Sequence, residues 1–176
     1  MIKKSYILFI CNQYLKGVLF LLLGVFLSGC QPNQAKPLAR YQHAVEGSYA
    51  GEISRDGKYS VVSSIHHGIS VWDLSNNTRL YDWAQEQKSS DNLVLAIDIS
   101  DNSSHTVTAN RDNFALWNLA NGQSEGYWQV RESNIRDIAV SNNGNYVLIG
   151  KSNATVVHVE IDTGRRLEFL GHSEKI

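Results

Sequence analysis

The sequence predicts an all-β chain of repeated four-stranded units, the blades of a β-propeller, and three observations carry that reading. A motif recurs: Ile69-Ser70-Val71-Trp72-Asp73-Leu74 returns as Phe114-Ala115-Leu116-Trp117-Asn118-Leu119 and, more faintly, as Val156-Val157-His158-Val159-Glu160-Ile161. The spacing is regular, with 45 positions from Trp72 to Trp117 and 42 from Trp117 to Val159, the period expected when four short strands make one blade. A second landmark keeps step: Ser54, Ser100 and Ser141 each close a short apolar run, 18, 17 and 18 residues before Trp72, Trp117 and Val159.

Turn residues divide each unit into four strands. In the first, strands are predicted at 51–54, 59–64, 69–74 and 78–83, separated by Asp56-Gly57, His66-His67-Gly68 and Asn76-Asn77. Asp-Gly and Asn-rich pairs suit such turns because positive φ costs them little. The second unit reads 94–100, 106–109, 114–119 and 124–130, with Asn121-Gly122 as a turn. The third reads 135–141, 146–150, 155–161 and 165–170, with turns at Asn143-Gly144 and Thr163-Gly164. Between the first two units the polar run 84–92 reads as an exposed loop, with Ala84-Gln85-Glu86-Gln87 as a candidate helical turn.

The segment Ile135-Arg136-Asp137-Ile138-Ala139-Val140-Ser141-Asn142-Asn143-Gly144 resembles the V-x-x-V-A-F-S-P-D-G stretch of WD40 repeats. Trp72-Asp73 is that family's namesake dipeptide and Trp117-Asn118 a near copy. On these residues the chain resembles a bacterial WD40-type β-propeller protein over residues 47–176. The resemblance implies three recognisable four-stranded blades in an incomplete ring, at about 47–92, 93–134 and 135–172. Gly171-His172 resembles the opening of a further repeat. A ring closes with about 4–8 blades, and an unclosed array leaves apolar faces uncovered, so the expectation is a fragment or truncated product of a longer propeller.

The family pattern further implies a buried hydrogen-bond set, in which an aspartate before the third strand orders a histidine and a serine or threonine joins it to the tryptophan. Asp112 and Asn153 stand near that aspartate position and read as structural turn residues. No Gly-His pair opens the three complete copies, so a partial network is expected. Trp72 and Trp117 are expected between blades, their indole N–H groups partnered. Trp83, Tyr127 and Trp128 fall on outer strands as a candidate surface patch.

Residues 1–29 read as a targeting segment: Lys3 and Lys4, an apolar stretch over 18–27, then Ser28-Gly29 before Cys30. The stretch is shorter than the roughly 20 residues a membrane span needs. Leu27-Ser28-Gly29-Cys30 resembles the lipobox of bacterial lipoproteins. That resemblance implies a diacylglyceryl thioether on Cys30, cleavage just before it and an acylated new N-terminus, and several acyl chains anchor stably where one is marginal. An uncleaved anchor is the alternative, favoured by the long leading segment and by Cys11. Gln31, rather than aspartate, implies the outer membrane in the enterobacterial sorting pattern. Residues 30–46, with Pro32 and Pro37, read as the lipidated cysteine and a polar tether.

Beyond Cys30 the chain has 13 basic and 17 acidic residues, which offers no basic face for nucleic acid. His66-His67 invites a metal reading, with His105, His158 or Asp112 as further ligands. Adjacent residues of an extended chain point to opposite sides, and no third ligand has a recognisable spacing, so neither metal nor cofactor is expected. No nucleophile elbow, zincin pair or phosphate loop occurs, and no catalytic residue is assigned. Glu52, Asp98 and Asp137 fall on or near the innermost strands, where side chains either line a channel or are simply solvated.

The expected function is therefore binding of a protein partner, of unknown identity, at a membrane surface facing the periplasm. Two alternatives stand beside it. Propellers also house hydrolases and quinone-cofactor dehydrogenases, whose site would lie in further blades; or the chain is a disabled fragment.

Overall fold

Short β-forming runs broken by tight turns every five to seven residues leave each strand one cheap partner, its neighbour in sequence. The computed structural model describes residues 36–37, 39–42, 46–85, 93–130 and 134–170, and among them the chain folds in that way. Blade 1 comprises β1 (Ser48–Ile53), β2 (Tyr59–Ser64), β3 (Gly68–Asp73) and β4 (Thr78–Trp83). Blade 2 comprises β5 (Ala96–Ile99), β6 (His105–Ala109), β7 (Asn113–Asn118) and β8 (Ser124–Gln129). Blade 3 comprises β9 (Ile135–Val140), β10 (Tyr146–Lys151), β11 (Val156–Glu160) and β12 (Arg166–Phe169). Each blade is an antiparallel sheet with its strands in chain order. The strands agree with the sequence expectation to within a few residues at each end.

The chain divides into two compact units, Met1–Arg40 and Tyr41–Ile176. The first is described only at residues 36–37 and 39–40; all three sheets belong to the second. Cys30, the targeting segment, Gly171-His172 and residues 86–92 lie outside the described residues.

Register makes the blades comparable position by position. Trp72, Trp117 and Val159 pair across the ladder with Ser60, Thr106 and Val147. Side chains alternate along a strand, so each blade has one face holding this position, here termed the leading face, and an opposite, trailing face. The trailing face of blade 1, with Val61, Ile69, Val71 and Trp83, packs on Ala115 and Trp117 of blade 2. The trailing face of blade 2, with Val107, Ala109, Phe114 and Leu116, packs on Ile138, Val147, Ile149, Val157 and Val159 of blade 3. The same trailing-on-leading contact is thus made twice. Val61, Val71, Val107, Val147 and Ile149 are fully buried, and each contributes about 1.5–3 kcal/mol by leaving water. At the inner edge β1 lies against β5 and β5 against β9.

The serine landmark has a structural cause. Ser54, Ser100 and Ser141 open the turns between the first and second strands of the three blades. Their hydroxyls donate to Asp56, Asn102 and Asn143 at 2.7, 2.8 and 2.8 Å. They accept the backbone N–H of Tyr59, His105 and Tyr146 at 2.8, 3.0 and 3.0 Å. Gly57, Ser103 and Gly144 close the turns at φ of 72°, 57° and 75°. The fourth-strand turns repeat in the same manner. Asp73 accepts the N–H groups of Ser75 and Asn76, and Asn118 those of Ala120 and Asn121. The carboxylate of the Trp-Asp dipeptide is a turn cap.

Candidate functional site

The most organised polar group lies between blades 1 and 2. The indole N–H of Trp117 donates to Thr108 Oγ1 at 2.8 Å, and the Thr108 hydroxyl donates to Gln85 Oε1 at 2.8 Å. The Gln85 amide then donates to Asn113 Oδ1. All four side chains are buried, Gln85 at 8% exposure and Thr108 at 0%. A low-polarity setting strengthens such a chain and penalises any break in it. The set is complete in blade 2, with Gln85 and Asn113 where the family pattern implies histidine and aspartate. Asp112 is a turn residue, as expected: its carbonyl accepts the Val130 N–H at 2.7 Å, and its N–H donates to Asn110 Oδ1. Asn153 likewise caps its turn, accepting the Thr155 N–H at 3.3 Å.

Blade 1 solves the same problem differently. Val62 pairs with Ser70, as Thr108 pairs with Ala115. The hydroxyl has moved across the ladder, and Trp72 donates to Ser70 Oγ at 2.8 Å. Blade 3 has Ile149 and Val157 at the corresponding pair and no tryptophan, so this position is apolar.

Two aromatic expectations require correction. Trp83, read as part of a surface patch, is buried at 4% exposure, stacked on Trp117 at 4.7 Å, and donates its indole N–H to the Gly122 carbonyl at 2.9 Å. Its pairing with Ile69 sets it on the trailing face, against blade 2. Trp72, expected between blades, is half-buried and meets the ring of Tyr41 at 5.0 Å. Trp128 is also half-buried, stacked on Phe114 at 5.0 Å, which leaves Tyr127 as the exposed member of the patch.

Among the described residues the innermost carboxylates do not gather in a group of three. Asp98 accepts the Val140 N–H at 2.7 Å and so ties β5 to β9. Burial pushes its carboxyl above the usual range against the lowering effect of that bond. Asp137 accepts the N–H of Ile138, and Glu52 is half-buried on β1. The histidines are scattered too. His66 and His67 lie exposed in the β2–β3 turn; His105 meets Glu125 at 3.1 Å; His158 stacks on Tyr146 at 5.2 Å. Among the described residues no three His, Cys, Asp or Glu side chains gather to hold a metal ion.

Two surfaces stand out among the described residues. The β1–β2, β5–β6 and β9–β10 turns form a polar row joined blade to blade by Arg55 with Asp101 at 2.8 Å and by the Asn102 N–H with Asn142 Oδ1 at 2.7 Å. The trailing face of blade 3 exposes Tyr146, Leu148, Leu167 and Phe169. A concavity of about 200 Å³ opens on it between Tyr146, His158, Glu160, Arg165 and Leu167.

The chain is similar to two solved structures, "Structure of U3-55K" and "Crystal structure of RRP9 WD40 repeats". Each aligns at a TM-score of 0.64 and 12% identity, over 76% of this chain and 42% of the other. The three sheets are blades of a WD40-type β-propeller. The chain thus spans less than half the length of the propellers it matches. No protein-family model matches it, and no curated protein matches it. Gln85, Thr108 and Asn113 were missed by sequence reasoning; the visible signal was a threonine nine residues before Trp117, where blade 1 carries Val62 at the matching register.

Proposed function

We propose that this chain is a membrane-anchored WD40-type propeller that works by binding, presenting a rigid face to a protein partner in the bacterial cell envelope, with Cys30 as the point of lipid attachment. The observation that supports binding is the row made by the β1–β2, β5–β6 and β9–β10 turns. Three copies of one serine-to-Asx turn are fixed internally and then joined across blades through Arg55–Asp101 and Asn102–Asn142. Loops held this firmly on a sheet scaffold suit recognition. Fold alone does not assign it. The anchor and the periplasmic, outer-membrane address rest on Leu27-Ser28-Gly29-Cys30 and Gln31.

Two experiments test the reading. Cells fed labelled palmitate should label the wild-type chain and Cys11→Ala but not Cys30→Ala; label that survives Cys30→Ala sinks the anchor. Cross-linked pull-down from solubilised envelopes should recover one reproducible protein, lost with the exposed Lys58→Glu in the turn row. Recovery of chaperones and proteases alone would argue against binding.

A further inference from the structure

We propose that the outer end of the seam between blades 2 and 3 is a notch that takes a tyrosine side chain carried on an acidic segment of a protein partner. The inference rests on the reading that this chain works by binding, and adds where and by what chemistry a partner is held. Both walls of the notch belong to described blades that pack on each other.

The seam between blades 1 and 2 shows what fills such a place. There Tyr81, on β4, lays its ring over the β7–β8 turn of blade 2, so close that a methyl group on Gly122 would sit 2.5 Å from it. The Tyr81 hydroxyl donates to the Ala120 carbonyl at 3.1 Å, and the ring stacks beside Trp83 at 6.1 Å. Leu119, in the cluster that Tyr81 packs against, is 3% exposed.

The seam between blades 2 and 3 repeats the receiving side without the ring. Ile161, Asp162 and Gly164 of blade 3 stand at the positions of Leu119, Ala120 and Gly122, counted from Val159 and Trp117. The Gly164 N–H donates to the Glu160 carbonyl as the Gly122 N–H donates to that of Asn118, both at 2.8 Å, so the two turns share one form. Gly126 holds the register position of Tyr81, since Val71 pairs with Tyr81 and Leu116 with Gly126. Trp128 leans back over Gly126 and takes the room a Cβ would need there. The room of the tyrosine ring stays empty. Among the described residues nothing lies within 4 Å of a methyl group built on Gly164, and Ile161 is partly exposed where Leu119 is covered.

Charge selects what carries the ring. Arg166 pairs with Val159, which sets it on the leading face of blade 3, where blade 2 has Ser124 at the same register. Arg166 is exposed and has no acidic partner among the described residues. Glu125, on the blade 2 side, is already engaged by His105 and Asn118, and Glu168 lies two residues farther from the turn than Arg166. A carboxylate next to the incoming tyrosine meets Arg166, while the tyrosine hydroxyl meets the Asp162 carbonyl as Tyr81 meets Ala120. Aromatic anchors with a polar tip suit such pockets, and a charge at the rim adds selectivity.

The test titrates the isotope-labelled full chain, in non-ionic detergent, with three capped tripeptides: Glu-Tyr-Glu, Glu-Ala-Glu and Lys-Tyr-Lys. Glu-Tyr-Glu should shift the Gly164 amide and Trp128 indole resonances saturably; Glu-Ala-Glu should not, and Lys-Tyr-Lys should bind roughly threefold or more weakly. Arg166→Glu, at an exposed position, should reverse the preference between the two tyrosine peptides. Gly126→Tyr supplies the missing ring from within, with Trp128 swinging to the place Trp83 takes in blade 1. It should abolish the response to Glu-Tyr-Glu and raise the urea midpoint; should circular dichroism show it misfolded, Arg166→Glu decides alone. No saturable shift with Glu-Tyr-Glu, as when another segment of this chain already fills the notch, overturns the proposal, and so does an equal response to Glu-Ala-Glu. In the cross-linked pull-down, a partner lost with Arg166→Glu and Gly126→Tyr supports the notch. A partner lost with Lys58→Glu but kept by both seam variants refutes the notch and leaves the binding reading standing.

Discussion

Thr108 Oγ1 accepts the indole N–H of Trp117 at 2.8 Å while its own O–H donates to Gln85 Oε1. One hydroxyl therefore satisfies two buried groups on different sides of a blade-to-blade seam.

Thr108→Val, close to isosteric, should strand both groups and cost about 1–3 kcal/mol of stability, read from the urea midpoint. Adding Ala115→Ser copies the arrangement of blade 1, where Ser70 serves Trp72 from the neighbouring strand. The double variant should regain part of the loss. If the second change only adds to the first, the equivalence of Thr108 with Ser70 is wrong.

Thr106 runs the other way. It is fully buried, and among the described residues its hydroxyl is the one buried side-chain polar atom without a partner. Blade 3 already has Val147 at this position. Thr106→Val should stabilise the protein by about 1 kcal/mol, since burying an unpaired hydroxyl carries a cost of that order. A lower urea midpoint would refute this.

Gly68 sits at φ 84°, and a methyl group there would collide with the backbone carbonyl of Trp83. Neither the turn nor the β3–β4 pair can yield without breaking the register between Ile69 and Trp83. Gly68→Ala should cost at least about 2 kcal/mol. Gly164→Ala is the control: φ is 68° but nothing lies near the added carbon, so only the conformational part of the loss should appear.

Acid has opposing effects at two kinds of carboxylate. The Ser54 hydroxyl and then the Lys58 N–H hold Asp56 at about 2, and Asn76 and Ser75 hold Asp73 low. Both contribute stability that is present above the ordinary value of 3.8 and lost as pH falls through the folded values. Asp98 is raised by burial, so its contribution is fullest below 3.8 and is lost as pH rises through its folded value. Asp98→Asn keeps an acceptor for the Val140 N–H and removes the charge. The stability of this variant relative to wild type should therefore increase from pH 3 to pH 7 in urea melts. A difference independent of pH would show that Asp98 is not desolvated in the folded protein.

Much of this was legible in the chain. Ser54, Ser100 and Ser141 marked the register because each makes the same local turn, and local chemistry survives in sequence. Asp56-Gly57, Asn143-Gly144 and Thr163-Gly164 marked turns because the backbone there needs positive φ. What was hidden depends on contacts between blades. Gln85 looked like loop because it is polar, yet Thr108 and Asn113 draw it inside. Trp83 looked like rim because it ends a fourth strand, but pairing with Ile69 turns it toward Trp117. Asp112 read as a turn residue and is one, while the ordering role falls to Asn113, one residue on, whose Oδ1 accepts from Gln85 across the seam.

The seam between Trp83 and Trp117 also has a direction in time. The indole N–H of Trp83 finds its acceptor in Gly122, 39 residues further on. At about 5–20 residues per second of synthesis, that is roughly 2–8 s during which a finished first blade shows the ring of Trp83 uncovered. A chain released or stalled within that interval presents a sticky surface to whatever is near. The nascent first blade is therefore one stage at which a holding chaperone has work to do.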